Sequence, residues 1–110
     1  MYDPQPAFRA IADPTRRAIM GMLASSEMTI GEVADRFEMT RPAIAKHLGI
    51  LRDGGLVSMR ENGRERVHSL EPMALKPVED WLEHFSHFWD EKLGSLKTAI
   101  EKTDIKKDEA

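Results

Sequence analysis

The stretch TRPAIAKHLGILR, residues 40–52, places hydrogen-bond donors beside small residues. Arg41 and Lys46 can reach base edges or phosphates in a DNA major groove, and His47 can contact DNA or become half-buried. The apolar residues recur at helical spacing and are expected to pack inward: Ile44, Leu48 and Leu51. The stretch therefore predicts a helix whose outer face either enters a DNA groove or is merely solvated.

Further candidates for DNA contact lie at helix caps and in a charged hairpin. Thr40 is expected to cap the helix, while the Thr29 hydroxyl can serve as a cap or as a phosphate ligand. The hairpin arginines can contact phosphates or the minor groove, or can pair with Glu61 and Glu65. The predicted DNA-contacting residues are Thr29, Thr40, Arg41, Pro42, Ala43, Ala45, Lys46, His47, Arg60, Asn62, Arg64 and Arg66.

Short helices precede this stretch. PAFRAIA is one, and DPTRRAIMGMLASS is another that begins with Asp13 as its N-cap. Arg16 and Arg17 of the second helix can touch the DNA backbone or form structural ion pairs. TIGEVADRF is a third helix, and the three residues EMT, the last of which is the cap Thr40, connect it to the next helix, which is the helix-turn-helix pattern.

A charged β-hairpin follows the helix-turn-helix. Asn62-Gly63 predicts its two-residue tip, with strands near residues 56–60 and 65–70. A helix-turn-helix followed by such a hairpin is a winged helix. The predicted fold class is mainly α with a small β-hairpin.

Residues 73–102 are expected to form one long helix, followed by a frayed tail over residues 103–110. Its apolar residues keep a three-four spacing for about seven turns, and a monomer this small has little to cover them. A second copy related by a two-fold axis would bury this face, or its aromatic residues could line a ligand pocket. The predicted dimer interface is Phe8, Trp81, Leu82, Phe85, Phe88, Trp89, Leu93 and Leu96.

Length and composition limit the class of protein. The 110 residues suit a single domain, which we assign to residues 1–102, and they include no cysteine. No apolar run approaches the ~20 residues of a membrane span, and the N-terminus lacks a signal-peptide pattern, so we expect a cytoplasmic protein. Because no Cys nucleophile, Gly-rich phosphate loop or serine elbow is present, we do not expect an enzyme.

Charge is distributed unevenly along the chain, whose net charge is −3. Residues 40–68 carry six Lys or Arg against three Asp or Glu, whereas residues 71–110 carry six against ten. The basic middle segment favours double-stranded DNA as the partner. The acidic balance of the whole chain leaves a second interpretation open, a winged helix that serves as a protein–protein interaction module.

Three stretches together resemble the ArsR/SmtB family of winged-helix transcriptional repressors: FRAIADPTRRAIMGML, TIGEVADRFEMTRPAIAKHLGILRDGGLV and RENGRERVHSLEP. The resemblance extends from Ala7 to Leu96. It implies a homodimer, dimeric through its first and last helices, that binds a palindromic operator through helix 40–52 and the hairpin of residues 56–70. Two positions depart from the family's pattern, since Ala45 stands where relatives often carry Ser and Gly49 where they often carry Lys or Arg. Gly49 costs about 1 kcal/mol of helix propensity relative to Ala, and it either permits a close contact or is simply tolerated.

Many members of this family sense metals, but the residues here do not favour a metal site. The family's Cys-x-Cys positions are occupied by Thr29 and Gly31, which cannot bind a thiophilic metal. On the last helix His84 and His87 share a face, yet Asp80 lacks the histidine that follows it in the family's Asp-x-His pair. The chain therefore resembles the cysteine-free, metal-independent branch, with no metal and no cofactor. The alternative is a metal- or ligand-responsive sensor that uses the last helix, and the inducer is not identified by the sequence.

Overall fold

The computed structural model describes the backbone of residues 3–109 and the side chains of residues 3–102. Its contacts divide the chain into two units, Met1–Val78 and Glu79–Ala110, which are described separately. The elements in chain order are α1 (Gln5–Ile11), α2 (Pro14–Ser25), β1 (Met28–Thr29), α3 (Ile30–Ala34), α4 (Arg41–Asp53), β2 (Val57–Asn62), β3 (Glu65–Leu70), a 3₁₀ turn (Pro72–Leu75), α5 (Lys76–Glu83) and α6 (Ser86–Glu109). This is a mainly α winged helix-turn-helix with a small antiparallel sheet, as predicted.

Side-chain caps begin the helices at the residues that the sequence indicates. The Asp13 carboxylate accepts a hydrogen bond from the Arg16 amide at 3.0 Å, and Pro14 follows where a missing N–H costs nothing. The Thr40 hydroxyl accepts from the Ala43 amide at 3.3 Å and so starts α4. Both predicted caps are confirmed, and they fix the register of the two longest helices of the first unit.

Helix α3 is shorter than the sequence predicts. It begins with a reciprocal capping box between Thr29 and Glu32, each side chain bonding the other's backbone amide. It ends at Ala34, because the amides of Arg36 and Phe37 bond carbonyls only three residues back. The connection to α4 is therefore longer than the three residues EMT, although the helix-turn-helix order is as predicted.

The core of the first unit lies between α2, α3, α4 and the start of β2. The inner stripe of α4 is fully buried, which confirms the predicted packing face. Helix α2 adds a second apolar stripe, and α1 packs against the bundle through small side chains. The largest buried apolar side chains are Ile19, Val33, Ile44, Leu48, Leu51 and Leu56.

The sheet has three strands in the order β1-β3-β2, all antiparallel. We call the β2–β3 hairpin, residues 57–70, the wing. Asn62 pairs with Glu65, so the two-residue turn is Gly63-Arg64 and not Asn62-Gly63 as predicted. Gly63 has φ +65° and no other residue of the described turn has a positive φ, which is the pattern of a type II′ turn with Gly in its first central position.

The second unit differs from the single helix expected over residues 73–102. The hydrogen bonds from His84 N to Trp81 O and from Phe85 N to Leu82 O span three residues, and α5 ends there before α6 begins. The apolar spacing continues through this break, so periodicity alone does not reveal it. The backbone of α6 extends to Glu109, while the side chains of residues 103–110 lie outside the described residues, and the frayed tail stays a prediction there.

Candidate nucleic-acid interface

The outer face of α4 carries the residues that the sequence singles out for DNA contact. Arg41, Pro42 and Lys46 are exposed, and Ala43 and Ala45 are partly exposed beside them. The opposite side of the helix is buried in the core, so α4 is held rigidly with this face outward. Small residues between two long cations leave room for a close approach of a groove wall.

His47 lies at the edge of this face and is bonded to α2. Its Nδ1 lies 3.3 Å from Arg16 Nη1 and 3.9 Å from an oxygen of Asp13. Since a guanidinium can only donate, this contact is a hydrogen bond when Nδ1 is the acceptor. The structure thus places His47 in a contact between helices, which is the half-buried alternative.

Arg16 and Arg17 bind backbone carbonyls at the end of α1. Arg16 Nε donates to Ala10 O at 2.8 Å and its Nη2 to Arg9 O at 3.0 Å. Arg17 Nη1 donates to Ile11 O at 2.8 Å. Arg9 O also accepts from the Ala12 amide at 3.2 Å, and the two arginines add side-chain donors to the carbonyls at this helix end. Both arginines thus make structural contacts, as in the ion-pair alternative, but their acceptors are backbone carbonyls and not carboxylates.

Asp13, the N-cap of α2, has a lowered pKa. The backbone N–H of Arg16 donates to the carboxylate and lowers the pKa of Asp13, although partial burial opposes the shift. The charge of Arg16 lowers the pKa further. The carboxylate is therefore ionised at neutral pH, as an N-cap acceptor and a partner of the cations near it require.

Among the wing arginines, Arg60 has a partner that differs from the two glutamates expected from the sequence. Arg60 pairs with Glu27, which lies before β1, and not with Glu61 or Glu65. The Ser69 hydroxyl donates to the other carboxylate oxygen of Glu27 at 3.1 Å. Arg60 and Ser69, which both belong to the wing, thus bind the same carboxylate. Arg60 is thus a structural cation as well as a DNA candidate, and nothing local in the sequence marks Glu27 as its partner.

The start of α4 and the tip of the wing meet at a polar cleft of about 310 Å³. Three of the predicted DNA-contacting arginines converge there from elements far apart in sequence. The residues that line the cleft are Thr29, Ile30, Gly31, Arg41, Arg64, Glu65 and Arg66. Asn62 ends β2 nearby on the wing, and it is exposed.

His68 is a buried polar residue that is not among the predicted site residues. It lies on the central strand β3, is completely buried, and neither ring nitrogen has a hydrogen-bond partner in the described part of the chain. Burial lowers the pKa of His68, and the charge of Arg52 lowers it further, while weak interactions with the backbone of Met28 and Arg66 oppose the shift. Alternation along β3 places His68 on the same side as the half-buried Leu70, which is the sequence signal for its inward orientation.

The second unit presents a large exposed apolar face. Its aromatic and aliphatic side chains surround a groove of about 470 Å³, and each is at least 42% exposed. Trp81 and Phe85 meet edge to face at 5.2 Å, and the Lys92 ammonium lies 5.8 Å from the Phe88 ring centre. The exposed members are Trp81, Leu82, Phe85, Phe88, Trp89, Leu93, Leu96 and Ile100. Phe8, the other predicted interface residue, is half-buried in the first unit.

His84, one of the two histidines near this face, lies close to backbone carbonyls of its own helix. His84 Nδ1 lies 3.1 Å from Asp80 O and 3.2 Å from Trp81 O, so it can donate to carbonyls at the end of α5. Among the described residues no group of three or more His, Cys, Asp or Glu side chains comes together as a metal site would require. No described helix combines the length and the apolar character that crossing a bilayer demands.

A helix-turn-helix whose second helix has a basic outer face, followed by a basic wing, defines a winged-helix DNA-binding regulator. Residues 11–60 match the family model described as "Helix-turn-helix domain". The chain is 35% identical to the transcriptional repressor SdpR of Bacillus subtilis over 86 residues, which are 78% of this chain and 96% of SdpR. It belongs to the ArsR/SmtB family of transcriptional regulators, and such regulators are not enzymes.

Two further comparisons support this assignment. The HTH-type transcriptional regulator Rv2034 of Mycobacterium tuberculosis is 39% identical over 82 residues, covering 74% of this chain and 77% of Rv2034. The crystal structure of an ArsR family transcriptional regulator superposes with a TM-score of 0.70 at 36% identity, covering 78% of this chain and 94% of that one. Both cover more than two thirds of this chain. The predicted family is confirmed.

Proposed function

We propose that the protein is a homodimeric repressor that occupies a palindromic operator in double-stranded DNA. The observation that carries this proposal is the outer face of α4, where Arg41 and Lys46 stand exposed beside small residues on a helix anchored by its buried stripe. The arginines of the wing extend the basic surface next to its N-terminal end. A recognition helix in the major groove, with a wing on the backbone, uses both sets of cations.

The exposed apolar face of α5 and α6 supports the dimer. Contiguous apolar patches of this kind are rarely left in water, and a second copy offers the same aromatic side chains in return. Dimerisation would present two copies of α4 to the DNA, and half-sites about 34 Å apart would match one helical turn. The palindrome then follows from the two-fold symmetry of the protein.

Repression is the mode that the relatives favour. SdpR is named a transcriptional repressor, whereas another relative, 31% identical over 70 residues, is named the transcriptional activator HlyU of Vibrio cholerae. A dimer that covers a promoter blocks transcription without any further contact, which makes repression the simpler mechanism. An inducer would release the DNA by binding more tightly to a dimer geometry that no longer fits the half-sites. A regulator that binds chromosomal DNA must reach that DNA, so we place the protein in the cytoplasm.

DNA binding is tested by fluorescence anisotropy with duplex from the gene's own upstream region at 50 and 200 mM salt. We expect sequence-selective binding that weakens steeply with salt and is further weakened in Lys46→Ala. Lys97→Ala is the matched control, because Lys97 is exposed on α6 and pairs only loosely with Glu101 at 4.0 Å. If neither this duplex nor random genomic fragments bind, the protein–protein interaction module becomes the better interpretation.

Dimerisation is tested by analytical ultracentrifugation of wild type and Leu93→Glu. A charge in the middle of the apolar face should dissociate the dimer, whereas Ser95→Glu adds the same charge about 200° around α6 and should not. A monomeric wild type would contradict the proposal.

Zinc content of the purified dimer tests the alternative of a metal sensor. For the alternative of a ligand sensor, the groove of about 470 Å³ has a size that would hold a small apolar ligand.

A further inference from the structure

We infer that the cleft between α3, α4 and the wing holds one phosphate group of the DNA backbone, and that Gly31 positions Arg41 in it. The inference rests on the proposed DNA binding and adds the location of one contact and the residue that makes it possible. The cleft is lined by polar and charged groups from three elements, and its volume is about 310 Å³. Its cations are three guanidinium groups and its only carboxylate is Glu65.

The chemistry of the cleft favours an oxyanion. The side chains of Arg41, Arg64 and Arg66 make no hydrogen bond or ion pair within the part of the chain that the structure describes, so their donors are available. Guanidinium groups bind phosphate through paired N–H donors, which gives both affinity and orientation. Thr29 adds a hydroxyl whose oxygen already accepts from the Glu32 amide, and its O–H remains able to donate outward.

Gly31 determines where the Arg41 guanidinium lies. A Cβ atom added at residue 31 would stand 2.8 Å from Arg41 Nη2 and 3.2 Å from its Cζ. These distances are too short for a contact, so any larger residue would move the guanidinium away. Because the atoms in question are the end of a flexible side chain, the displacement should alter the cleft and leave the fold intact. This gives a structural reason for glycine in the first turn of a helix, where it is otherwise unfavourable.

The position of the cleft suits a phosphate that flanks the groove entered by α4. Arg41 is the first residue of α4, and the wing arginines stand at the other side of the cleft. A single phosphate held from both sides would fix the angle between the recognition helix and the wing. The cleft would therefore set the register of the protein on DNA and would not read the base sequence.

The experiment measures the salt dependence of binding to a fixed duplex for wild type, Arg41→Gln, Gly31→Ala and Gly21→Ala. One lost phosphate contact should make the slope of log K against log[salt] less steep by about 0.9 per bound subunit. The affinity would then fall ~3.5-fold less between 50 and 200 mM salt. We expect this in Arg41→Gln, and a change in the same direction in Gly31→Ala although its charge is that of wild type. Gly21→Ala is the control, since a Cβ there meets nothing within 4 Å.

The outcomes separate the inference from the proposed function. Wild-type slopes in both Arg41→Gln and Gly31→Ala, with urea denaturation showing folded proteins, overturn the phosphate site while DNA binding itself stands. Absence of binding by wild type overturns the proposed function, and the DNA occupant with it. Pyrophosphate supplies the other source of the same chemistry. If it raises the melting temperature of wild type but not of Arg41→Gln, while DNA slopes are unchanged, the occupant is a small phosphate ligand and the DNA inference is wrong.

Discussion

Arg60 of the wing and Glu27 at the entry to β1 form an ion pair that joins the two edge strands of the sheet. Both side chains lie on the solvent face, and the pair crosses β3, where the Ser69 hydroxyl bonds the same carboxylate. An exposed pair of this kind contributes roughly 0–1 kcal/mol to folding. For a protein that binds DNA as proposed, the pair would also hold back a cation that a phosphate would otherwise attract.

Glu27→Gln should release Arg60 and increase the electrostatic part of DNA binding. With its partner neutral, Arg60 can turn to a backbone phosphate, so the salt slope should steepen by about 0.9 per bound subunit. Fluorescence anisotropy at several salt concentrations measures this slope. Glu61→Gln removes the same charge from the neighbouring position of the wing and frees no arginine, so it serves as the control. Equal slopes in the two variants would mean that Arg60 does not reach the DNA.

Local signals in the sequence predict most of the first unit. Capping residues and apolar spacing act within a turn or two of their own position, and they gave the starts of α2, α3 and α4. Strand β1 was missed because two residues have no periodicity, and its pairing with β3 joins Met28 to His68 across 40 positions. The break between α5 and α6 was missed because the apolar spacing continues through it.

In the candidate site too, local geometry can be predicted from the sequence, and contacts between distant elements cannot. The outer face of α4 follows from helical geometry alone, since burying Ile44, Leu48 and Leu51 leaves Arg41 and Lys46 outside. The partners of individual cations do not follow, because they depend on which distant elements meet. Arg16 with the end of α1 and Arg60 with Glu27 are settled only by tertiary packing.

Buried His68 should make folding stability fall in mild acid. Its pKa is lowered in the folded protein, whereas in the unfolded chain it titrates near pH 6.5. Below that pH the unfolded state binds more protons than the folded state, so this group destabilises the fold as the pH drops, by at most about 1.4 kcal/mol per pH unit, and has no such effect above it. Urea denaturation at pH 7.5 and 5.5 measures the difference.

His68→Leu isolates that contribution. Leucine fills a similar volume and removes two buried nitrogens without hydrogen-bond partners, so the variant should lose less stability between pH 7.5 and 5.5 than wild type. His87→Gln, at an exposed position on α6, should keep the wild-type pH dependence. The same loss in wild type and His68→Leu would show that other groups cause the acid sensitivity.

Arg16→Ala should destabilise the fold, because Arg16 donates to Ala10 O and Arg9 O at the end of α1 and contacts His47 of α4. Charged hydrogen bonds to backbone of this kind contribute roughly 1.5–3 kcal/mol, and partial exposure puts the expected loss near the lower end. Urea denaturation reports the loss. Arg17→Ala removes one carbonyl contact and should cost less. A normal stability together with weaker DNA binding would instead favour the DNA-backbone role first considered for Arg16.

Gly49 within α4 and Gly54 at its C-cap should respond to alanine in opposite directions. A Cβ at Gly54 would lie 2.8 Å from Pro6 O and 3.2 Å from Ala7 Cα, both backbone atoms of α1 that cannot move aside. Gly54→Ala should therefore cost about 1–3 kcal/mol, the range for overpacking. A Cβ at Gly49 would meet only Arg52 Nη2 at 4.0 Å, so Gly49 permits no close contact there. Gly49→Ala should stabilise the helix by about 0.5–1 kcal/mol. Urea denaturation of the pair at one pH gives both signs, and a stabilising Gly54→Ala would mean that α1 does not rest on the end of α4.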